Sequence, residues 1–383
     1  QVTNERDRLQ GELNFSFDNG DLQFLGFYSE EMYIRWADGD KSDTPLSIAM
    51  GMVMGMSVNH MADPTDITEA MLEVRWVSPE DAPLRWTVGA SIYDYEFLTL
   101  VWSQYAGILS GQQAALSIQP NVIISEESQN QAVFANLTYD LNDRTTFSLE
   151  GRYQSEDMTN VNQITSEAFT NTTKSFVPRI ALNHSLDNGV TLYGQWAKGV
   201  NPAGVIPAAR SPRVMAAHKQ VYDLGLVEWK LDDVLFYAEE EIENIEFGIK
   251  AGLADNRVQF SGAVYAMDWA HYNQAYTLAF NVDTLAREKG VTSPGMVQSL
   301  GPGDYRLRAQ LDLGSANVHG VEGEVSWFVN ENWDFRGTAT LQQTEFETFC
   351  DPDGVQTIGL TPTNLVTDGS GVLFNCVSAI GNE

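Results

Sequence analysis

Positive charge is scarce in this chain. Its 383 residues include 22 Lys and Arg against 52 Asp and Glu, for a formal net charge of −30. Binding to a phosphate backbone needs clustered Lys and Arg, so nucleic acid is excluded as a partner. An acidic surface can draw cations, but it serves solubility equally well, and solubility is the weightier reading. Cysteine is almost missing. The only two, Cys350 and Cys376, lie in one Gly/Pro/Asn-rich stretch near the end of the chain. No CxxC pair and no Cys/His cluster of zinc spacing occurs, so the expectation is a local Cys350–Cys376 disulfide made in an oxidising compartment. Protection of that loop is a better account of the pair than the shaping of a ligand site. Long apolar runs are absent, which excludes a membrane-spanning helix. No signal peptide opens the chain, which runs from Gln1 to Glu383 and ends in a loop-like segment. The expectation is therefore an internal piece of a longer protein.

Alternation of period two dominates what is present. Around Leu186-Asp187-Asn188-Gly189, the residues Phe176, Pro178, Ile180 and Leu182 share one face, and Val190, Leu192 and Trp196 continue it after the turn. Before Leu141-Asn142-Asp143-Arg144, the residues Val133, Leu137 and Tyr139 oppose Asn136, Thr138 and Asp140. After it, Phe147, Leu149 and Tyr153 oppose Glu150, Arg152 and Gln154. The same pattern surrounds Asn330-Glu331-Asn332, where Val321, Val325, Trp327, Trp333 and Phe335 oppose Glu322, Glu324, Asp334 and Arg336. Three further hairpins fit around Asp18-Asn19-Gly20, Ser78-Pro79-Glu80-Asp81 and Ala254-Asp255-Asn256. Together these make about twelve strands of roughly nine to thirteen residues, the length of a tilted membrane-spanning strand. Pro178 cannot donate a ladder hydrogen bond, so a bulge or local break is expected there.

The connections alternate between short turns and long stretches at 35–66, 97–128, 158–173, 201–238, 272–315 and from 347 onward. Soluble sandwiches rarely carry such loops, whereas an outer-membrane barrel has short turns at one rim and long loops at the other. The fold class is therefore all-β: an antiparallel up-and-down transmembrane β-barrel. Its apolar face meets lipid, and its polar face lines a lumen where Glu150, Arg152, Glu322 and Glu324 are hydrated or paired. Trp76, Trp86, Tyr139, Tyr153, Trp196, Trp327 and Trp333 sit near strand ends, where an interfacial aromatic belt falls.

Particular residues point further. "SFVPRIALNHSLDNGVTLYGQWAKGVNPAG" (Ser175–Gly204) resembles a signature of TonB-dependent outer-membrane receptors, carried by Pro178, Arg179, Leu192, Tyr193, Ala197, Lys198, Gly199, Pro202 and Gly204. "EEEIENIEFGIKAGLADNRVQFSGAVYAMDW" (Glu239–Trp269) is similar to the next hairpin, with Glu241, Asn244, Glu246, Gly248, Lys250, Tyr265, Asp268 and Trp269. "GSANVHGVEGEVSW" (Gly314–Trp327) matches the following strand through Gly320-Val321-Glu322, and Glu73–Glu96 resembles an earlier hairpin.

The resemblance implies a 22-strand barrel in a Gram-negative outer membrane, filled by an N-terminal plug and carrying a short box that contacts TonB. Residues 1–383 then form the central part of the barrel domain, incomplete at both ends, without plug, TonB box or C-terminal strands. The implied function is energised uptake of a scarce bulky nutrient, most often a ferric siderophore, with no covalent chemistry and no cofactor. The implied partners are TonB, a small iron chelate, and the surrounding lipid and lipopolysaccharide. A passive porin and a non-transporting surface receptor or adhesin are the alternatives.

No catalytic or substrate-binding residue can be nominated. Met50, Met52, Met54 and Met56, followed by His60 and Met61, could offer soft sulfur to Cu(I), but an adaptable apolar loop is the stronger reading. His60, His184, His218, His271 and His319 are scattered without metal spacing. The run Glu239, Glu240, Glu241 and Glu243 reads as the solvated upper end of a strand. Gly301–Arg306, "GPGDYR", lacks the strand–helix context of a phosphate site.

Overall fold

The computed structural model describes residues 2–37, 57–106, 108–109, 112–113, 117–163, 166–187, 189–205, 212–227, 230–231, 236–292, 296–297, 301–302, 304–312, 314–351, 365–367, 372–374 and 377–378. Twelve long strands make one antiparallel sheet in sequence order. They are β1 (Val2–Phe17), β2 (Gly20–Ala37), β3 (Ser57–Val77), β4 (Leu84–Ala106), β5 (Ser117–Asn142) and β6 (Thr145–Asn162). There follow β7 (Glu167–Leu186), β8 (Val190–Asn201), β9 (Glu240–Leu253), β10 (Val258–Ala270), β11 (Gly314–Asn330) and β12 (Trp333–Asp351). A two-residue strand, Val377–Ser378, pairs with the end of β12. Among the described residues β1 and β12 do not meet, so the sheet is an open wall.

All six expected hairpin turns lie where turn chemistry places them. Gly20 and Gly189 take positive φ of 128° and 72°, and Ala254, Asp255 and Asn256, at the fifth turn of this rim, take left-handed φ of 54°, 55° and 63°. The strands between them are longer than expected. β5 has 26 residues and β4 has 23, so 97–106 and 117–128 are strand rather than loop, as are 57–66 in β3, 158–162 in β6 and 167–173 in β7. On β5 the reason is polarity: from Ser125 to Gln131 both faces of the strand are hydrophilic, and alternation fades although the ladder continues. Of the bulge or local break expected at Pro178, the local break is found and the bulge is not. β7 pairs β6 through Gly151↔Pro178 without a register shift, while its pairing with β8 stops at Arg179. The missing N–H is thus placed where no ladder bond is made.

Register sorts the side chains into two faces. Leu137 opposes Leu149, which opposes Ile180, and Phe247 opposes Val264, which opposes Val321 and then Leu341. These side chains are exposed or half-exposed on the outer face. On β5 the belt runs from Val133 to Leu141, about 27 Å of strand at ~3.4 Å per residue. A tilt near 40° foreshortens that to about 21 Å, close to the ~25 Å apolar band of outer-membrane barrels. Aromatic rings mark its lower edge, where Phe17 meets Trp76 and Trp327 meets Phe335 at centroid distances of 6.4 and 6.1 Å. Above the belt the outer face turns acidic, with Glu96 opposite Glu127 and Glu243 opposite Asp268.

Close packing is concentrated elsewhere. Ala217, Val221, Leu226, Val282 and Ala286 have no exposed surface. They belong to helix α1 (Pro212–Asp223), the turn after it, and helix α2 (Val282–Glu288), in the two excursions that follow β8 and β10. The second excursion also holds a hairpin of Asn273–Asn281 with Asp304–Asp312. Lys289 Nζ donates to the Gly225 carbonyl at 3.2 Å and ties the two excursions together. Stretches 201–238 and 272–315, expected to be loops, thus contain helices and a hairpin.

Candidate ligand path along the inner wall

Even-numbered residues of β5 and β6 face inward and form a connected polar lattice. Arg152 donates to Gln154 at 2.9 Å, to Asn130 at 3.1 Å and to Ser91 at 3.4 Å. Arg179 bridges Glu150 at 2.9 Å and Gln195 at 2.8 Å. The sheet supplies these contacts because partners opposite in register are neighbours on one face. Glu150 and Arg152, read from sequence as lumen residues, are brought together in this lattice. Glu322 and Glu324 lie on the same inner face further round, lining a recess with Lys250, Ser261, Thr338 and Thr340.

Two tyrosines lie flat along this wall because the neighbouring strand offers a glycine. A Cβ on Gly248 would come within 2.3 Å of the Tyr193 ring, and one on Gly320 within 2.2 Å of the Tyr265 ring. Tyr193 Oη donates to Glu246 at 2.7 Å, and Lys250 Nζ stands 5.4 Å from its ring centroid. Tyr265 Oη donates to Gln342 at 3.1 Å. Such ring-over-glycine pairs keep the wall smooth while filling the gap left by the missing side chain.

Higher up, a strap of Phe236–Glu240 crosses the inner face. Ser175 donates to Glu239, the Ala238 carbonyl accepts from Asn273 Nδ2 at 2.7 Å, and Glu240 accepts from Asn273 N at 2.6 Å and Asn201 Nδ2 at 3.1 Å. Tyr237 lies across Gly204, where a Cβ would come within 2.1 Å of its hydroxyl. Beside the strap, Glu126 on β5 stands opposite Asn160 on β6, which stands opposite Phe169 on β7. Asn160 is fully buried, and neither its Oδ1 nor its Nδ2 has a hydrogen-bond partner. Glu156 accepts from Ser128 at 2.8 Å and Asn130 at 3.4 Å. These groups sit above the apolar belt. Burial, and then the nearby Glu156, raises Glu126 above the usual carboxylate range. Burial, and then Glu126, raises Tyr237 and pushes Tyr95 up to about 12.

The run at Glu239–Glu243 is therefore more than a solvated strand end, because Glu241 also pairs with Lys198 at 2.6 Å. Asn160, Glu126 and Tyr237 carry no signal in the sequence, since their proximity depends on strand register and on where the strap crosses. Met50, Met52, Met54 and Met56 lie outside the described residues, and of His60 and Met61 only the backbone, in β3, is described. Among the described residues no group of three or more His, Cys, Asp or Glu could hold a metal ion. Cys376 and the Cys350 side chain also lie outside the described residues. Within "GPGDYR", Gly301–Pro302 and Asp304–Asp312 are strands. No described helix is long and apolar enough to cross a membrane, which says nothing of crossing by strands.

A lipid-facing belt outside and a polar lattice inside define the wall of a transmembrane β-barrel. The sequence matches the TonB dependent receptor-like β-barrel family over residues 1–370, and the chain belongs to that family. Among solved structures, the ferric yersiniabactin uptake receptor FyuA from Yersinia pestis superposes with a TM-score of 0.55 at 14% identity, over 91% of this chain and 44% of that one. The copper transporter OprC gives 0.59 at 12% identity, over 91% and 48%. BauA, the ferric preacinetobactin receptor from Acinetobacter baumannii, gives 0.54 at 13% identity, over 96% and 48%. These likenesses are of fold. The chain spans less than half the length of each of these receptors. No curated protein matches it in sequence.

Proposed function

We propose that this chain is the central wall of a Gram-negative outer-membrane transporter. It takes up a scarce bulky nutrient of the ferric siderophore class, energised through TonB. The observation that carries the reading is the pairing of an outward apolar belt with a polar inner wall in a chain of the TonB dependent receptor-like β-barrel family. FyuA and BauA carry names of ferric siderophore receptors and OprC that of a copper transporter, which supports a metal chelate as cargo. The barrel of 22 strands, the plug and the TonB box are proposed for the full-length protein. A Cys350–Cys376 disulfide is proposed to close the stretch after β12, and should show as a reductant-dependent gain of two maleimide-reactive thiols. The chain's own role is positional: it holds ligand-contacting groups, lines the path and excludes lipid, and it makes or breaks no covalent bond.

The test is uptake of radioactive iron by iron-starved cells supplied with a panel of ferric siderophores, with and without the gene. Uptake of one chelate that needs both this gene and TonB supports the reading. Equal uptake of every chelate without the gene overturns it.

A further inference from the structure

The upper edge of the lipid-facing belt is not uniform. Two rows of outward residues cross it from β3 to β7, each residue opposite the next in register. The lower row is Val74, Ala90, Val133, Tyr153 and Phe176. The upper row, two residues further along each strand, is Leu72, Ile92, Gln131, Ser155 and Lys174. Here lies a groove of about 550 Å³, floored by Ala90 and Val133 and flanked by Leu72 and Tyr153. The short side chain of Ala90 keeps the floor low, while Leu72 and Tyr153 stand out at 51% and 49% exposure. Short turns mark the periplasmic rim of an outer-membrane barrel, so this edge of the belt, away from the turns, lies in the outer leaflet.

In hydrocarbon such a groove selects nothing by itself, since acyl tails are as apolar as its walls. The end of the upper row sets it apart. Among the described residues, Lys174 and Lys198 are the two cations on the outward side of the twelve strands. Lys198 is paired with Glu241 at 2.6 Å. Lys174 is exposed and has no acidic partner among the described residues. One row higher the outward acids are engaged elsewhere: Asp94 accepts from Gln129 at 2.7 Å, and Asp157 accepts from Thr172 at 2.6 Å. Ser155, directly opposite Lys174, adds a hydroxyl donor. An ammonium and a hydroxyl just above an apolar groove match an amphiphile with a phosphate head.

We propose that this groove seats one molecule of outer-leaflet lipopolysaccharide. A lipid A phosphate sits against the Lys174 ammonium and accepts from the Ser155 hydroxyl, and one acyl chain lies in the groove across Ala90 and Val133. The site is on the outside of the wall, apart from the ligand path. The inference therefore adds an interaction surface to the uptake reading, shares with it only the outward orientation of the belt, and does not depend on the cargo.

Native mass spectrometry of the full-length receptor in detergent micelles, with bisphosphorylated lipid A added, is the test. One bound lipid A should survive collisional activation that strips phosphatidylglycerol. Lys174→Gln should lower the retained fraction roughly tenfold, the scale of losing one charge-assisted hydrogen bond. Lys174→Arg, which keeps the charge, should retain most of it. Ala90→Phe, which fills the groove floor and touches no charge, should lower retention as well. Lys198→Gln, which removes the paired outward cation, should leave it unchanged. The inference is overturned if no lipid A is retained, if Lys174→Gln or Ala90→Phe retains as much as the unaltered receptor, or if Lys198→Gln loses as much as Lys174→Gln. Equally firm retention of phosphatidylglycerol would overturn it too, since the groove would then take any anionic lipid.

Discussion

Leu149 on β6 stands directly opposite Leu137 on β5, and both side chains lie on the outer face of the sheet at 44% and 37% exposure. One residue along each strand, Glu150 opposes Asn136 on the inner face. A single step in sequence thus moves a side chain from hydrocarbon to hydrated lumen. Leu149→Arg should destabilise the folded barrel in lipid by about 2–4 kcal/mol, as expected for a cation near the bilayer midplane. Asn136→Arg should stay within about 1 kcal/mol. Urea unfolding in phospholipid vesicles, followed by tryptophan fluorescence, measures both.

Gly248→Ala and Gly11→Ala should act in opposite directions. The added methyl at Gly248 meets the Tyr193 ring, whereas nothing lies within 4 Å at Gly11. The first should cost about 1–3 kcal/mol through overpacking. The second should gain about 0.5 kcal/mol from reduced chain entropy. The same unfolding assay reads the sign of each.

Arg85 donates to both carboxylate oxygens of Asp140, at 2.5 and 2.8 Å, and joins β4 to β5 near the turn rim. Both side chains are about one-third exposed. Arg85→Ala should therefore lower stability only slightly, because solvent screens the pair. Arg85→Lys should recover little of it, because the paired fork geometry is lost.

Glu126 predicts a pH response of the strap. Burial and Glu156 raise its pKa in the closed state above the unfolded value. Closure is then fully favoured while the carboxyl is protonated in both states, and its stability falls as pH rises from the ordinary carboxylate range through the raised value. Hydrogen exchange of the peptide covering 236–240, corrected for intrinsic rate, should show less protection at neutral than at mildly acidic pH. Glu126→Gln should make protection independent of pH across that window.

The wall was legible in the sequence to the extent that one face was greasy. Leu137, Leu149, Val321 and Trp333 announced their strands, and Asp18-Asn19-Gly20 or Ala254-Asp255-Asn256 announced the turns between them. Where both faces meet water, as at Gln129 opposite Asp157, alternation carries no signal and a strand reads as loop. The strap was illegible for a different reason. Ser175 and Glu239 lie 64 positions apart, and nothing local to either shows that a strap returns to join them. Asn160 reads in sequence as one polar residue among many, and only its burial without partners sets it apart.

The central claim is that the outer face touches lipid and the inner face surrounds water. Spin labels placed singly at Leu137, Leu149, Val264 and Val321, and at Thr138, Glu150, Arg152 and Glu324, test it in native outer membranes. The first set should be relaxed by dissolved oxygen and shielded from a water-soluble nickel chelate, and the second set should show the reverse. Nickel accessibility at Leu149 and Val321 with oxygen accessibility at Arg152 and Glu324 would contradict the barrel orientation and the transport function built on it.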